Sequence, residues 1–273
     1  AQIITDLNRV VKTITARLPE QFGTLPKAPL EIRRIPAATE GGASTHYESA
    51  SLDGSRPGVY WLNLRDTAES PFWFLPTTTY HEGLPGHHMQ ISIQQELTGL
   101  PRFRRFNGYT SYVEGWALYA EQIAPYSAPS KAAPRQLYNR VGSLFSELFR
   151  AVRLVVDANI HLGRYDAEAA SAVMRAHLLL GEADIASEVL RYASDPGQAV
   201  AYKLGALLIS GYRAATVGRS AVTLREFHTL TLDALDPLHL CATLTAASAV
   251  ALPDPAAAIR VAAGPGAAAG PGP

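Results

Sequence analysis

The segment Tyr80–Gln90 contains the residues most able to do chemistry, because it places three histidines and a glutamate within eight positions around a Pro-Gly pair. Imidazoles on one face of a helix can hold a zinc ion, and a neighbouring carboxylate can take a proton from the activated water. The common form of such a site is H-E-x-x-H, with its histidines one helical turn apart. His81 and Glu82 begin this pattern, but the next histidines are His87 and His88.

The longer spacing requires a break in the helix. On a continuous helix His81 and His87 would be about 9 Å apart along the axis, which is too far for both to bind one ion through bonds of about 2 Å. Pro85 has no N–H for the His81 carbonyl, and Gly86 permits unusual backbone angles. We therefore predict that the helix opens here and brings either His87 or His88 toward His81. In the alternative interpretation, the histidines only cluster on a kinked helix.

A second predicted helix, over residues 109–121, supplies a candidate third ligand. Helical spacing puts Glu114, Leu118 and Glu121 along one side of an otherwise apolar and aromatic helix. A carboxylate buried there is unfavourable unless it is paired or bound to a metal. We therefore predict that Glu114 completes a site for one zinc ion per chain. The alternative is that Glu114 only orients a histidine.

Further candidate residues lie on a long helix predicted over residues 137–162. Arg153, Asp157 and His161 share one side of it and alternate with apolar residues, which favours burial. We expect that His161 or Arg153 stabilises an oxyanion or holds a substrate carboxylate, unless these residues form a buried ion-pair network. Tyr202 is a second candidate donor to the oxyanion, and a structural tyrosine in the core is the alternative.

Composition excludes several classes of protein. The 273 residues are enough for one substantial core, and 24 basic residues balance 24 acidic ones, which gives no general attraction to nucleic acid. A single cysteine, Cys241, rules out an internal disulfide and a cysteine-rich metal site. No apolar run is long enough to span a membrane, and the N-terminus has no signal pattern. We expect a cytoplasmic protein, with processing or truncation upstream left open.

Periodicity predicts a mainly α fold with a small β element near the metal helix. Strands are expected over residues 30–35 and 58–64, and the second either pairs with a peptide substrate as an edge strand or helps to cap the helical core. Further helices are predicted over residues 3–18, 165–180, 184–194, 198–218 and 224–233. We expect residues 1–252 to form one helical, metallopeptidase-like domain and the Ala/Gly/Pro-rich residues 253–273 to be disordered.

Several segments resemble the bacterial domain-of-unknown-function family 885, whose members are predicted zinc peptidases of the H-E-x-x-P-G-H-H type, similar to gluzincins. The resemblance runs in order from about residue 20 to residue 240, and its segments are 51–58, 80–90, 112–121, 150–161, 191–192, 196–199 and 201–203. It implies that the motif histidines and the glutamate of E-G-W bind zinc while the first glutamate activates water. In this sequence, the resemblance implies that His81, either His87 or His88, and Glu114 bind zinc. It implies that Glu82 activates water.

Two departures from the family concern specificity more than chemistry. Family members are typically much longer, with a helical N-terminal half that has no counterpart here. The chain therefore matches the C-terminal half of the family, and we expect part of the substrate channel to be absent from it. In addition, the sequence Asp157-Ala158-Asn159-Ile160-His161 replaces the more usual D-T-G-I-H. The predicted metal residues are all present.

The function expected from these residues is zinc-dependent hydrolysis of a peptide or small amide substrate. Glu82 would serve as the general base, with Tyr202 or His161 at the oxyanion and Arg153 at the substrate. Two alternatives belong to other classes. One is a zinc hydrolase of a non-peptide amide or ester in secondary metabolism, and the other is a truncated, inactive helical module that binds a partner.

Overall fold

The computed structural model describes residues 2–41, 43–67, 71–124, 134–248 and 252–263, and it is mainly helical with one small sheet, which confirms the predicted fold class. The helices are α1 (Gln2–Thr15), α2 (Leu18–Gln21), α3 (Leu75–Glu82), α4 (His87–Glu96), α5 (Arg102–Phe106), α6 (Thr110–Ile123), α7 (Pro134–His161), α8 (Ala167–His177), α9 (Glu182–Ser194), α10 (Gln198–Thr216), α11 (Leu224–Ala234), α12 (Pro237–Ser248) and α13 (Pro255–Ala263). Within the described ranges, no helix is both long and apolar enough to cross a membrane.

The sheet contains three strands, β1 (Leu30–Arg34), β2 (His46–Glu48) and β3 (Gly58–Leu62), in the order β1-β3-β2. The sequence predicted β1 and β3 but not β2, which is only three residues long. β3 runs parallel to β1 and antiparallel to β2, so both of its edges are already paired. The prediction that β3 is an edge strand for a peptide substrate is therefore wrong. The sheet instead packs against α1 through a cluster that includes Leu7 and Tyr60.

Helices α6 and α10 cross closely because each presents a glycine at the crossing. A Cβ added at Gly115 would lie 2.5 Å from the Cα of Gly205. One helical turn N-terminal to Gly115, Tyr112 donates a hydrogen bond to the Thr231 carbonyl at 2.6 Å. The neighbouring Trp116 is fully buried, and its indole N–H donates to the Pro85 carbonyl at 2.8 Å. Helix α6 is thus fixed to α10, to α11 and to the segment between α3 and α4.

The predicted break after the first histidine is confirmed. Helix α3 ends at Glu82, and α4 begins at His87, on the far side of Pro85-Gly86. The Gly86 backbone lies so close to the end of α3 that an added Cβ would collide with the carbonyl oxygens of Tyr80 and His81. Only glycine lets α4 start this close to the last turn of α3.

The C-terminal region differs from the expectation of a disordered tail. Residues 255–263 form α13, in which Ala258 is fully buried and packs its backbone against Gly211 of α10. Alanine is the strongest helix former and its small side chain permits close packing, so an Ala-rich composition did not exclude an ordered helix. The expectation is not met over these nine residues, and residues 264–273 lie outside the described part of the chain.

Replacing Gly86 tests the close turn between α3 and α4. We expect Gly86→Ala to lower the free energy of unfolding by about 2 kcal/mol, because overpacking against fixed backbone atoms cannot be relieved by a side-chain rotation. Urea denaturation of the metal-free protein measures this loss separately from any metal effect. Gly99→Ala is the matched control, since no atom within 4 Å would meet its Cβ. Equal denaturation midpoints for the two variants would contradict the account.

Candidate metal centre

Three side chains from three helices meet at the centre of the predicted site. His81 lies in the last turn of α3, His87 begins α4, and Glu114 lies on α6. One ligand atom from each lies within 4.8 Å of the other two. Glu114 Oε2 is 3.5 Å from His81 Nε2 and 3.3 Å from His87 Nε2. The turn at Pro85-Gly86 therefore brings His87, six residues further along the chain, to the same carboxylate as His81.

Of the two adjacent histidines, only His87 faces the Glu114 carboxylate in the described structure. The His88 imidazole points toward the sheet, where its Nε2 lies 3.1 Å from the Ala28 carbonyl and its Nδ1 lies 3.0 Å from the Tyr47 hydroxyl. The carbonyl can only accept, so Nε2 carries the proton and Nδ1 accepts from the hydroxyl. Burial lowers the pKa of His88 to about 4, which keeps the ring neutral. Both nitrogens of His88 are already hydrogen-bonded, so the structure does not support the prediction of His88 as a metal ligand.

Glu121 orients the first histidine, a role that the sequence did not predict. Its Oε1 accepts a hydrogen bond from His81 Nδ1 at 2.6 Å, and this leaves His81 Nε2 facing Glu114. A carboxylate on the second nitrogen is the usual support for a metal-binding imidazole. The signal was present in the sequence, since Glu114 and Glu121 are seven residues apart on one side of α6, but spacing alone gave it no role.

The two carboxylates create a strong demand for positive charge. Burial disfavours a charged imidazole, yet hydrogen bonds to Glu114 and Glu121 raise the pKa of His81 to about 9. Burial likewise opposes ionisation of Glu114, but His87 and His81 hold the pKa of this carboxyl well below its usual range. Without a metal, the site thus keeps a proton on His81 between two carboxylates. A divalent cation can replace that proton.

The residues present fit a zinc ion. In the described part of the chain, Glu121 Oε2 is buried without a hydrogen-bond partner, and Glu114 Oε2 has only the two imidazole nitrogens beside it at 3.3 and 3.5 Å, so both carboxylates have remaining capacity for a cation. Two imidazole nitrogens and one carboxylate oxygen form the ligand set of a common class of catalytic zinc sites, in which a fourth position is left for water or substrate.

Two predicted catalytic residues lie beside this group. Glu82 follows His81 at the end of α3 and interacts electrostatically with His81, His87 and Glu114, while burial raises its pKa. The Tyr202 ring, on α10, lies nearly parallel to the His81 ring at a centroid distance of 6.1 Å. Burial and the Glu114 carboxylate raise the pKa of Tyr202, so its phenol keeps its proton at neutral pH.

The other two predicted residues have different environments. His161 is one third exposed, and its Nε2 contacts the Tyr192 carbonyl at 3.0 Å and Asp157 at 3.4 Å. Asp157 also accepts from the Gly197 N–H, so this group links α7 to the turn before α10. The catalytic prediction for His161 is therefore replaced by a structural one. Arg153, in contrast, is buried with its guanidinium 4.0 Å from the centroid of the Tyr202 ring.

Metal affinity of paired alanine variants tests the ligand assignment. We expect His87→Ala to lower zinc affinity by at least about 100-fold, since it removes a direct ligand. The matched control is His88→Ala, which removes the adjacent ring and leaves the three ligands in place. Competition with a chromophoric chelator measures both affinities. The reverse order of losses would show that the assignment is wrong.

Comparisons with known proteins agree with this fold. The chain is similar to a candidate lipoprotein of known crystal structure from Colwellia psychrerythraea, with 38% identity, a TM-score of 0.85 and coverage of 90% of this chain and 42% of that one. A candidate lipoprotein of unknown function from Shewanella oneidensis has the same fold at 18% identity, with a TM-score of 0.71 and coverage of 87% and 44%. The chain thus spans less than half the length of either relative.

No curated protein matches the chain. The model of a family described as bacterial proteins of unknown function, DUF885, matches residues 1–234. This match covers most of the 273 residues, and the chain therefore belongs to the DUF885 family.

Proposed function

We propose that the protein is a zinc-dependent hydrolase that cleaves peptide bonds. The observation that carries the proposal is the group formed by His81, His87 and Glu114, whose ligand atoms lie within 4.8 Å of one another. Zinc in such a site activates a water molecule and polarises the carbonyl group of the substrate.

Glu82 is the general base in this proposal. It adjoins a metal ligand in sequence, and it is close enough to all three ligands to interact with them electrostatically. Burial raises its pKa, which favours a group that must first accept a proton from water and then release it to the leaving amine. Glu114 and Glu121 cannot take this role, because each is already committed to an imidazole.

Tyr202 stabilises the negative charge that develops on the carbonyl oxygen. Its hydroxyl accepts a hydrogen bond from Gln198 Nε2 at 3.1 Å, which leaves the phenol proton available for donation. The ring contacts the Arg153 guanidinium at 4.0 Å and lies nearly parallel to the His81 ring at a centroid distance of 6.1 Å. A donor held in place before the reaction begins contributes more than one that must reorient.

The cellular location of the protein remains a prediction. The prediction of a cytoplasmic protein has not been tested, and both solved relatives are described as candidate lipoproteins. The substrate is also a proposal. The chain covers only 42% and 44% of those two relatives, so it represents less than half of their length.

Substitution of the general base separates catalysis from metal binding. We expect Glu82→Gln to lower kcat for peptide hydrolysis by about 100- to 10,000-fold, because the amide cannot take a proton from water. Zinc content by elemental analysis should not change. Glu168→Gln makes the same chemical change on an exposed side chain and should keep full activity. Full activity in Glu82→Gln would remove this residue from the mechanism.

A further inference from the structure

Arg153 is a buried cation that lies against the rings of Phe149, Tyr192 and Tyr202. It is 3% exposed, and its Nε and Nη2 atoms have no hydrogen-bond partner among the residues that the structure describes. In the described part of the chain, no carboxylate lies within 4 Å of its guanidinium. Glu188 interacts with Arg153 electrostatically, but it is already paired with Arg191 and accepts a hydrogen bond from the Tyr192 hydroxyl. A buried charge in this state is unfavourable unless something else pairs with it.

The position of this guanidinium relates it to the metal centre. Arg153 Cζ lies 4.0 Å from the centroid of the Tyr202 ring, and that centroid is 6.1 Å from the centroid of the His81 ring. The guanidinium carbon is therefore no farther than about 10 Å from the imidazole, whatever the angle between the two directions. Packing on the aromatic ring uses the face of the guanidinium and leaves the N–H groups at its edge for an anion.

A second arginine makes this region attractive to an anion. Arg150 Cζ lies 5.7 Å from the same Tyr202 ring, one helical turn before Arg153 on α7. It donates to Ser146 Oγ at 2.6 Å and lies 3.7 Å from Glu121, so the metal-centre carboxylates offset part of its charge. Arg153 has no carboxylate in direct contact among the described residues, so it is the group that an incoming carboxylate would pair with.

We propose that Arg153 binds the free C-terminal carboxylate of the substrate, so that the enzyme removes the last residue of a peptide or cleaves a dipeptide. This inference rests on the proposed hydrolase function and specifies its substrate class. In the reaction, water breaks the last peptide bond. Its oxygen joins the acyl carbon, one proton goes to the amine, and the products are a shortened acid and a free amino acid.

The distance fits one residue. An extended residue spans about 3.5 Å, so a carbonyl at the metal centre and a carboxylate at Arg153 can belong to consecutive residues within a span of about 10 Å. The planar guanidinium can bind a carboxylate through two parallel hydrogen bonds, a geometry that an amide or an internal peptide group does not satisfy. This difference gives the site a basis for rejecting blocked C-termini.

The first test offers zinc-loaded wild-type protein N-acetylated dipeptides, each as a free acid and as a C-terminal amide. We expect kcat/KM to be at least about 30-fold higher for the acids, as for loss of one partner of a buried ion pair. Equal cleavage of acids and amides, or cleavage of longer peptides only at internal bonds, would overturn the inference while leaving a hydrolase. If no peptide is cleaved, the proposed function is overturned. The binding measurement described next then tests whether Arg153 binds a carboxylate.

The binding measurement uses calorimetry on zinc-loaded Glu82→Gln, so that it does not depend on turnover. We expect the acids to bind at least about 30-fold more tightly than the amides. Adding Arg153→Met should abolish that preference, and Arg153→Lys should restore part of it. Arg164→Met, just beyond α7 and exposed, is the matched control and should keep the preference. Equal binding of acids and amides by the protein with Arg153 intact would overturn the inference without relying on the folding of any Arg153 variant.

Discussion

His81 and His87 can face one carboxylate only because the chain turns back between them within four residues. Gly86 provides the room, since its backbone lies against the carbonyl oxygens of Tyr80 and His81. Trp116 fixes the turn through its hydrogen bond to the Pro85 carbonyl. This tryptophan lies two residues after Glu114 on the same helix, so the element that holds the turn also supplies the third proposed ligand. The geometry of the centre therefore depends on α6 and on the turn together.

Charge balance explains why such a centre favours a cation. Burying carboxylates close together is unfavourable unless positive charge accompanies them. His81 supplies that charge in the absence of metal, because Glu114 and Glu121 raise its pKa to about 9 against the effect of burial. A divalent ion held by His81, His87 and Glu114 would supply this charge in place of the proton, so metal binding would depend on pH. In the proposed hydrolase, Tyr202 and Arg153 would bind the substrate beside this centre.

Much of this arrangement could be predicted from the sequence, because it depends on local rules. The break at Pro85-Gly86 follows from the missing N–H and the freedom of glycine. The prediction of Glu114 as a ligand follows from the placement of a carboxylate on an apolar helix face. Strand β3 follows from its high content of β-forming residues, and β1 from a short segment between prolines that contains apolar residues. Each of these features lies within one helix, one strand or one turn.

The remaining features depend on residues distant in sequence. His87 and His88 are equivalent by spacing, and they differ only because Tyr47 and Ala28, from the sheet region, bind both nitrogens of His88. Strand β3 lost its predicted role as an edge because the short β2 pairs with it. His161 was predicted to be catalytic from its neighbours on α7, but the Tyr192 carbonyl of α9 engages its Nε2. Composition likewise gave no sign that α13 would pack on α10.

The central claim is that His81, His87 and Glu114 together bind zinc, and zinc K-edge X-ray absorption on the wild-type protein tests it most directly. The protein would be loaded with one equivalent of zinc and freed of excess ion by gel filtration. The account predicts one retained zinc per chain, with two imidazole nitrogens and carboxylate or water oxygen at about 2.0–2.2 Å. Loss of the zinc on filtration, or a spectrum without scattering from two imidazole rings, would contradict it.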